Sequence, residues 1–88
     1  RLGLQGDHTI AVFGQGPVGL SATQLAHHMG ARVIALDTNP QRLARAKEFG
    51  AEWVLNPLET NDVVGAIRDL THGRGAHASL DSSSSPQA

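Results

Sequence analysis

Short, nearly unbroken apolar runs recur along the chain and predict buried strands. They lie at residues 9–13, 32–36 and 53–55, with a weaker run at 76–80 that is interrupted by His77 and Ser79. Parallel strands covered on both faces have such runs, whereas strands with one solvent face alternate between apolar and polar residues. The pattern therefore predicts four short parallel strands.

Segments of helical periodicity lie between these runs. Pro17 and Pro40 suit the first position of a helix, and Asn39 suits the N-cap of the second one. A third helix is predicted from about Thr60 to Leu70, with Asp62 at its positive N-terminal end. The predicted apolar faces are Val18, Ala22, Leu25 and Met29, then Leu43, Ala46 and Phe49, then Val63, Ile67 and Leu70. Gly30 and Gly50 are predicted to end the first two helices.

The order βαβαβαβ predicts an α/β domain with a parallel sheet and right-handed crossovers. In the doubly wound, Rossmann-type arrangement the four strands lie in the order 3-2-1-4. Strands five and six of a complete domain are absent, so residues 1–88 are predicted to be a partial domain. Residues 1–8 are predicted to be a connector and 82–88 a polar, loosely ordered tail. The fourth strand then forms an apolar sheet edge, which predicts self-association.

A glycine-rich turn, GQGPVG at residues 14–19, joins the first strand to the first helix. Its spacing is the G-x-G-x-x-G of dinucleotide-binding turns. Gly14 lets the chain reverse, Gly16 lets a pyrophosphate approach the backbone, and Gly19 lets the helix pack close to the sheet. The first N–H groups of the helix then face the phosphates. A turn without a ligand is the alternative, but the flanking strand, helix and acid favour binding.

Asp37 ends the second strand, 21 residues after Gly16. A carboxylate there accepts hydrogen bonds from the adenosine ribose and repels the 2′-phosphate of NADP, which predicts NAD as cofactor. The alternative is that Asp37 only caps the turn at Thr38–Asn39. Arg42, on the next helical turn, either flanks the adenosine or is a solvated arginine, and both interpretations stay open.

Composition narrows the function classes. A chain of 88 residues forms at most one small domain, and its net charge of −1 gives no electrostatic case for nucleic acid or an anionic membrane. No apolar run approaches the roughly 20 residues of a membrane span. The chain has no cysteine, which excludes disulfides and cysteine-ligated metal sites within it. This composition fits a cytoplasmic protein.

No catalytic or metal-binding cluster is predicted within these residues. His27 and His28 are adjacent and point to different helix faces, and the other histidines are scattered along the chain. The run Ser82–Ser85 is predicted to be a flexible loop rather than a nucleophile site. Any function of these residues is therefore expected to be binding.

Several segments together resemble the medium-chain, zinc-type alcohol dehydrogenases, above all the threonine, sorbitol and bacterial alcohol dehydrogenase branch. They are Gly6-Asp7, VFGQGPVGLSATQLAHHMGARVIALD from Val12, RLARAKEFGA from Arg42, VLNP from Val54 and THGRGA from Thr71. The resemblance covers nearly the whole chain in the same order and spacing. It implies the NAD(H)-binding part of an enzyme that transfers hydride between an alcohol and nicotinamide.

The resemblance also implies roles for individual residues. The pyrophosphate turn would be Gly14, Gly16, Pro17, Val18 and Gly19, with Val18 also behind the nicotinamide, Asp37 on the ribose and Arg42 beside the adenosine. The loop from Asp81 to Ser85 would approach the nicotinamide. The chain departs from the family at His77, where an acid is usual, and at Ser84, where a glycine is usual. The second departure bears on the conformation of that loop and on its contact with the cofactor.

The family's zinc ligands lie in a separate N-terminal domain and a four-cysteine site, so zinc is expected only outside these residues. We therefore expect cofactor binding but no alcohol oxidation by these residues alone, and the alcohol stays unidentified. A non-catalytic NAD-sensing module is the main alternative, and the segments EFGAEWVLNP and THGRGA count against it. A methyltransferase is disfavoured by Pro17 within a complete glycine motif. The quinone-reductase branch, which usually prefers NADPH, is disfavoured by Asp37.

Overall fold

The computed structural model describes residues 8–81, and its centre is a four-stranded parallel sheet. The strands are Thr9–Phe13 (β1), Arg32–Leu36 (β2), Trp53–Leu55 (β3) and Ala78–Asp81 (β4). Their order is β3-β2-β1-β4, and every neighbouring pair is parallel. This confirms the predicted α/β fold and its 3-2-1-4 order. The predicted tail at 82–88 and all but the last residue of the predicted connector lie outside the described residues.

Helices cover both faces of the sheet. They are Pro17–His28 (α1), Pro40–Glu48 (α2) and Val63–Leu70 (α3), with a short 3₁₀ helix at Pro57–Glu59. Within residues 8–81, no helix has the length and apolarity that crossing a membrane requires. As predicted, Asn39 caps α2, and Gly30 and Gly50 follow α1 and α2 with φ of +91° and +116°.

Alternate residues of the strands form two hydrophobic cores, because successive side chains of a strand point to opposite faces. On one face Val12 and Val33 pack with α1 and α2. On the other face Ala11 and Ile34 pack with Ile67 of α3. The sheet therefore lies between two helical layers. These layers cover its faces but not the carboxyl ends of its strands, where the glycine turn begins.

The predicted apolar face of α1 is only partly right. Val18 and Leu25 are 69% and 60% exposed. The buried residues of α1 are Gly19, Leu20, Thr23 and Ala26, a face displaced by one residue from the predicted one. This buried face includes Gly19, and it places Thr23 beside the buried Gln15 side chain of the glycine turn.

The predicted start of α3 at about Thr60 is wrong. The helix begins at Val63, because the Asp62 side chain accepts a hydrogen bond from the Gly65 N–H (3.0 Å) and so acts as the N-cap. The 3₁₀ helix Pro57–Glu59, with Asn56 as its cap, ends just before the predicted start. A capping side chain thus decides where the helix begins, as is common for Asp and Asn.

The predicted start of β4 at Ala76 is also displaced, since the strand begins at Ala78. Gly75 has a φ of +76°, which bends the chain just before the strand. His77 forms hydrogen bonds with β1 through both its side chain and its backbone. Its N–H donates to the Thr9 carbonyl (2.7 Å), and its Nδ1 accepts from the Thr9 N–H (3.0 Å).

Candidate functional site

The glycine turn lies at the carboxyl end of β1, between two strands that extend the sheet in opposite directions. β1 pairs with β2 on one side and with β4 on the other. α1, which follows β1, and α3, which precedes β4, pack on opposite faces of the sheet. Such a point of reversed strand order is where open α/β sheets form a ligand crevice.

The two first glycines of the turn have different physical roles. Gly14 has a φ of +91°, which side chains disfavour, and its N–H donates to the Leu36 carbonyl (2.7 Å). Gly16 is the N-cap of α1, with ordinary extended geometry and no side-chain cap. A Cβ placed on Gly16 would meet nothing within 4 Å. The space beside Gly16 is thus open to a group that approaches the backbone.

The N-terminus of α1 points into this open space. Pro17 occupies the first helical position and has no N–H to satisfy. The N–H groups of Val18 and Gly19 lie in the first turn, where a helix supplies no acceptor of its own. With the helix dipole they favour an anion at this position, as phosphate groups do in many α/β proteins.

Asp37 contacts the glycine turn directly. Its Oδ2 accepts a hydrogen bond from the Gln15 N–H (2.6 Å), and its Oδ1 accepts from the Asn39 N–H (2.9 Å). Its side chain is only 7% exposed. The bond to Asn39 is the capping role that the sequence left open, but the bond to Gln15 is not explained by capping. The structure therefore joins the predicted acid to the predicted turn.

Arg42 lies beside Asp37 at the start of α2. One of its guanidinium nitrogens is 3.8 Å from Asp37 Oδ2, and its side chain is 54% exposed. Asn39 holds this helical turn in place, because its Oδ1 accepts from the N–H groups of Gln41 (2.8 Å) and Arg42 (3.2 Å). At this exposure the ion pair adds little stability, so the guanidinium remains available to a ligand.

A cavity of about 430 Å³ opens beside the turn, between α1 and α2. Gly16 and Pro17 line one side of it, and Arg42 and Arg45 line the other. Two guanidinium groups and a helix N-terminus make its potential positive, which favours an anionic ligand. A slightly larger cavity of about 480 Å³ lies between α3 and β4, but none of the predicted site residues lines it.

One buried side chain at the centre of this site is not indicated by the sequence motifs. Gln15 lies between the two glycines, where a polar turn residue is expected at the surface, yet it is fully buried. Its amide contacts the Val12 carbonyl and the Thr23 hydroxyl. The hint in the sequence was Thr23, which lies at helical spacing from the apolar residues Leu20 and Ala26.

Other residues that the sequence singled out are not part of the group formed by the glycine turn, Asp37 and Arg42. Asp81 ends β4 in register with Phe13, so it lies at the same sheet edge as the glycine turn. Ser84 and the rest of the predicted nicotinamide loop lie outside the described residues. His77 lies at the opposite end of β4, where its ring is 4.7 Å from the His8 ring. Within residues 8–81, no three histidine, aspartate or glutamate side chains are grouped so that they could hold a metal.

Comparison with known proteins gives a consistent family. A family model described as zinc-binding dehydrogenase matches residues 17–88. An alcohol dehydrogenase of Cupriavidus necator is 49% identical over 75 residues, which cover 84% of this chain and 20% of that protein. A sorbitol dehydrogenase of Bacillus subtilis is 37% identical over 89 aligned positions, covering 100% of this chain and 25% of that protein.

A solved structure agrees with these sequence relatives. The crystal structure of an alcohol dehydrogenase zinc-binding domain protein from Burkholderia ambifaria matches with a TM-score of 0.85 and 43% identity. The match covers 93% of this chain and 22% of that structure. The chain thus spans about a fifth to a quarter of the length of the proteins that it resembles.

Proposed function

The chain belongs to the zinc-binding dehydrogenases of the medium-chain alcohol dehydrogenase family, and from this we propose that it is the NAD(H)-binding part of a zinc-dependent alcohol dehydrogenase. The whole protein would transfer hydride between an alcohol and nicotinamide. The chain's own task would be to bind and orient the dinucleotide.

The pyrophosphate of the cofactor would lie at the N-terminus of α1. Gly14, Gly16 and Gly19 shape the turn, and the first N–H groups of α1 supply donors for phosphate oxygens. The open space at Gly16 supports this assignment, because a side chain there would occupy the volume that the phosphate needs. Pro17 and Val18 would complete the turn, and the Val18 side chain is 69% exposed.

The adenosine ribose would bind Asp37. The observation that carries the proposal is the 2.6 Å hydrogen bond between the Gln15 N–H and Asp37 Oδ2, since it places the acid and the turn in one site. Each carboxylate oxygen accepts one backbone N–H and has a further lone pair for a ribose hydroxyl. Its charge would repel a 2′-phosphate, which favours NAD over NADP. Arg42 would flank the adenosine from α2.

The bound nicotinamide would supply the hydride acceptor or donor for the interconversion of alcohol and carbonyl. No residue of this chain is assigned a catalytic role. Zinc is assigned to the rest of the whole protein, because the chain has no cysteine and the described residues do not fit a metal site. These residues alone would therefore hold the cofactor without oxidising an alcohol.

The ribose assignment is tested by Asp37→Ala in the whole protein, with NAD and NADP affinities measured by calorimetry. We expect NAD to bind at least about tenfold more weakly, because charge-assisted hydrogen bonds to the ribose are lost. NADP affinity should fall less or rise, since the repulsion of the 2′-phosphate is removed. The preference for NAD over NADP is therefore expected to shrink.

Asp69→Ala is the matched control, because Asp69 is an exposed acid on α3, across the sheet from the turn. It removes the same charge and should leave both affinities unchanged. A thermal melt of each variant shows that the fold persists. Unchanged NAD affinity in Asp37→Ala would refute the ribose assignment.

A further inference from the structure

The Gln15 side chain is folded under the glycine turn rather than into solvent. Its Nε2 donates to the Val12 carbonyl (2.9 Å), and its Oε1 accepts from the Thr23 hydroxyl (2.9 Å). Both Gln15 and Thr23 are 0% exposed. A buried amide in this position ties the end of β1 to the second turn of α1.

The two side chains match each other's polar groups. Within residues 8–81, no buried side-chain nitrogen or oxygen lacks a hydrogen-bond partner. Replacing one partner with an apolar group would leave the other buried and unpaired, which is far more unfavourable than removing both. The pair is therefore sensitive to single changes and tolerant of a joint one.

Gln15 also connects this pair to the acid. Its main-chain N–H is the donor to Asp37 Oδ2, so one residue contacts β1, α1 and the residue that follows β2. The turn cannot tilt relative to the α1 N-terminus without stretching one of these bonds. The direction of the first helical N–H groups, and their distance from Asp37, depend on the same residue.

We propose that Gln15 and Thr23 are positioning residues for the dinucleotide. Both side chains are buried beneath the turn; together they fix the glycine turn against α1 so that the phosphate donors and Asp37 bind one cofactor at once. This inference rests on the proposed NAD-binding function. Cofactor affinity then depends on a hydrogen bond between two uncharged side chains that are buried beneath the turn.

The test compares three variants of the whole protein: Thr23→Val, Thr23→Ser and the double variant Gln15→Met/Thr23→Val. We expect Thr23→Val to weaken NAD binding by about tenfold in calorimetry, because the unpaired Gln15 amide shifts the turn. Thr23→Ser keeps the hydroxyl and should restore affinity to within about threefold of the wild type. The double variant leaves no unpaired partner at this pair, so it should fold while still binding NAD about tenfold more weakly.

Amide hydrogen exchange without NAD provides a second measurement. The Gln15 N–H should exchange about tenfold faster in Thr23→Val and in the double variant, because its bond to Asp37 depends on the position of the turn. Ile67→Ala is the control for a purely structural effect. Ile67 is buried in the core on the opposite face of the sheet, so this variant lowers stability without touching the pair. It should leave NAD affinity unchanged.

The outcomes separate the two proposals. If the wild-type protein binds no NAD, the proposed function is wrong and this inference falls with it. If the wild type binds NAD and the double variant binds it equally well, the inference alone is overturned. If Ile67→Ala weakens NAD binding as much as Thr23→Val at equal stability, the pair acts only on stability and the positioning role is also overturned.

Discussion

Gly16 shows how a ligand can require a residue that the fold does not. Its backbone, with a φ of −71°, is one that any residue adopts, and a Cβ there would meet no protein atom within 4 Å. Gly50 is the opposite case. Its φ is +116°, and a Cβ there would lie 2.5 Å from the His27 ring. Substitution of Gly16 therefore tests ligand binding, and substitution of Gly50 tests stability.

Gly16→Ala is predicted to leave the melting temperature unchanged and to weaken NAD binding at least about tenfold, because the methyl group occupies the proposed pyrophosphate space. Gly50→Ala is the control. It should lower the free energy of unfolding by about 1–3 kcal/mol, through backbone strain and the contact with His27, with little effect on NAD affinity. Thermal melts and calorimetry on both variants check this. Wild-type NAD affinity in Gly16→Ala would contradict the pyrophosphate assignment.

At the residue scale, the motif spacing predicted where the site requires glycine. It did not predict the buried side chains that hold the turn in place. The need for a glycine at Gly14 follows from the G-x-G-x-x-G spacing, whereas the hydrogen bond between Asp37 and the turn was not predicted. The burial of Gln15 does not follow from the spacing either, because a turn residue between glycines has no periodicity that indicates which way it points. Its partner Thr23 is eight residues away, and only the folded helix brings the two together.

At the scale of elements, the strands were predicted more accurately than the helices. The bounds of β1, β2 and β3 follow from apolar runs, since burial on both faces leaves no ambiguity about which residues belong. For a helix, the sequence has to indicate which face is buried as well as where the helix begins and ends. In α1, apolar residues lie on two neighbouring faces, and the face that is buried includes Gly19, Leu20 and Ala26 and leaves Leu25 exposed.

Capping interactions predict a measurable effect on α2. Asn39→Ala should lower the free energy of unfolding by about 1 kcal/mol, because Asn39 Oδ1 accepts from two N–H groups of the first helical turn. Asn39→Asp keeps an acceptor at the same position and should retain the stability of the wild type. Urea denaturation monitored by circular dichroism measures both. An Asn39→Ala variant as stable as the wild type would show that the cap contributes nothing to α2.

At the scale of the whole molecule, the family resemblance drawn from the sequence is confirmed by the match of residues 17–88 to the zinc-binding dehydrogenases. It was recognisable because the motifs occur in order along nearly the whole chain. The activity of the whole protein is harder to predict from this sequence, because the chain spans only about a fifth to a quarter of the length of its relatives. In the proposed function this chain holds the cofactor, and the contacts to the alcohol are proposed to come from other residues of the whole protein.

Self-association of the 88-residue chain also belongs to this scale. β4 lies at one edge of the described sheet, all its residues are exposed, and Leu80 is 45% exposed. Beside it an apolar cleft of about 230 Å³ is lined by residues that include Ile10, Leu25 and Met29. A strand edge next to exposed apolar surface favours pairing with a second copy. The chain is therefore predicted to form dimers or larger species as its concentration rises.

Leu80→Lys should shift the chain towards the monomer, because a lysine on an edge strand carries an unfavourable desolvation cost into the contact. Leu58→Lys is the matched control: Leu58 is 79% exposed but follows β3, at the other edge of the sheet. It introduces the same charge and should leave association unchanged. Sedimentation velocity or light scattering over a concentration series measures both variants. A wild-type chain that stays strictly monomeric at high concentration would contradict the prediction, and equal effects of the two lysines would show that charge, not the β4 edge, controls association.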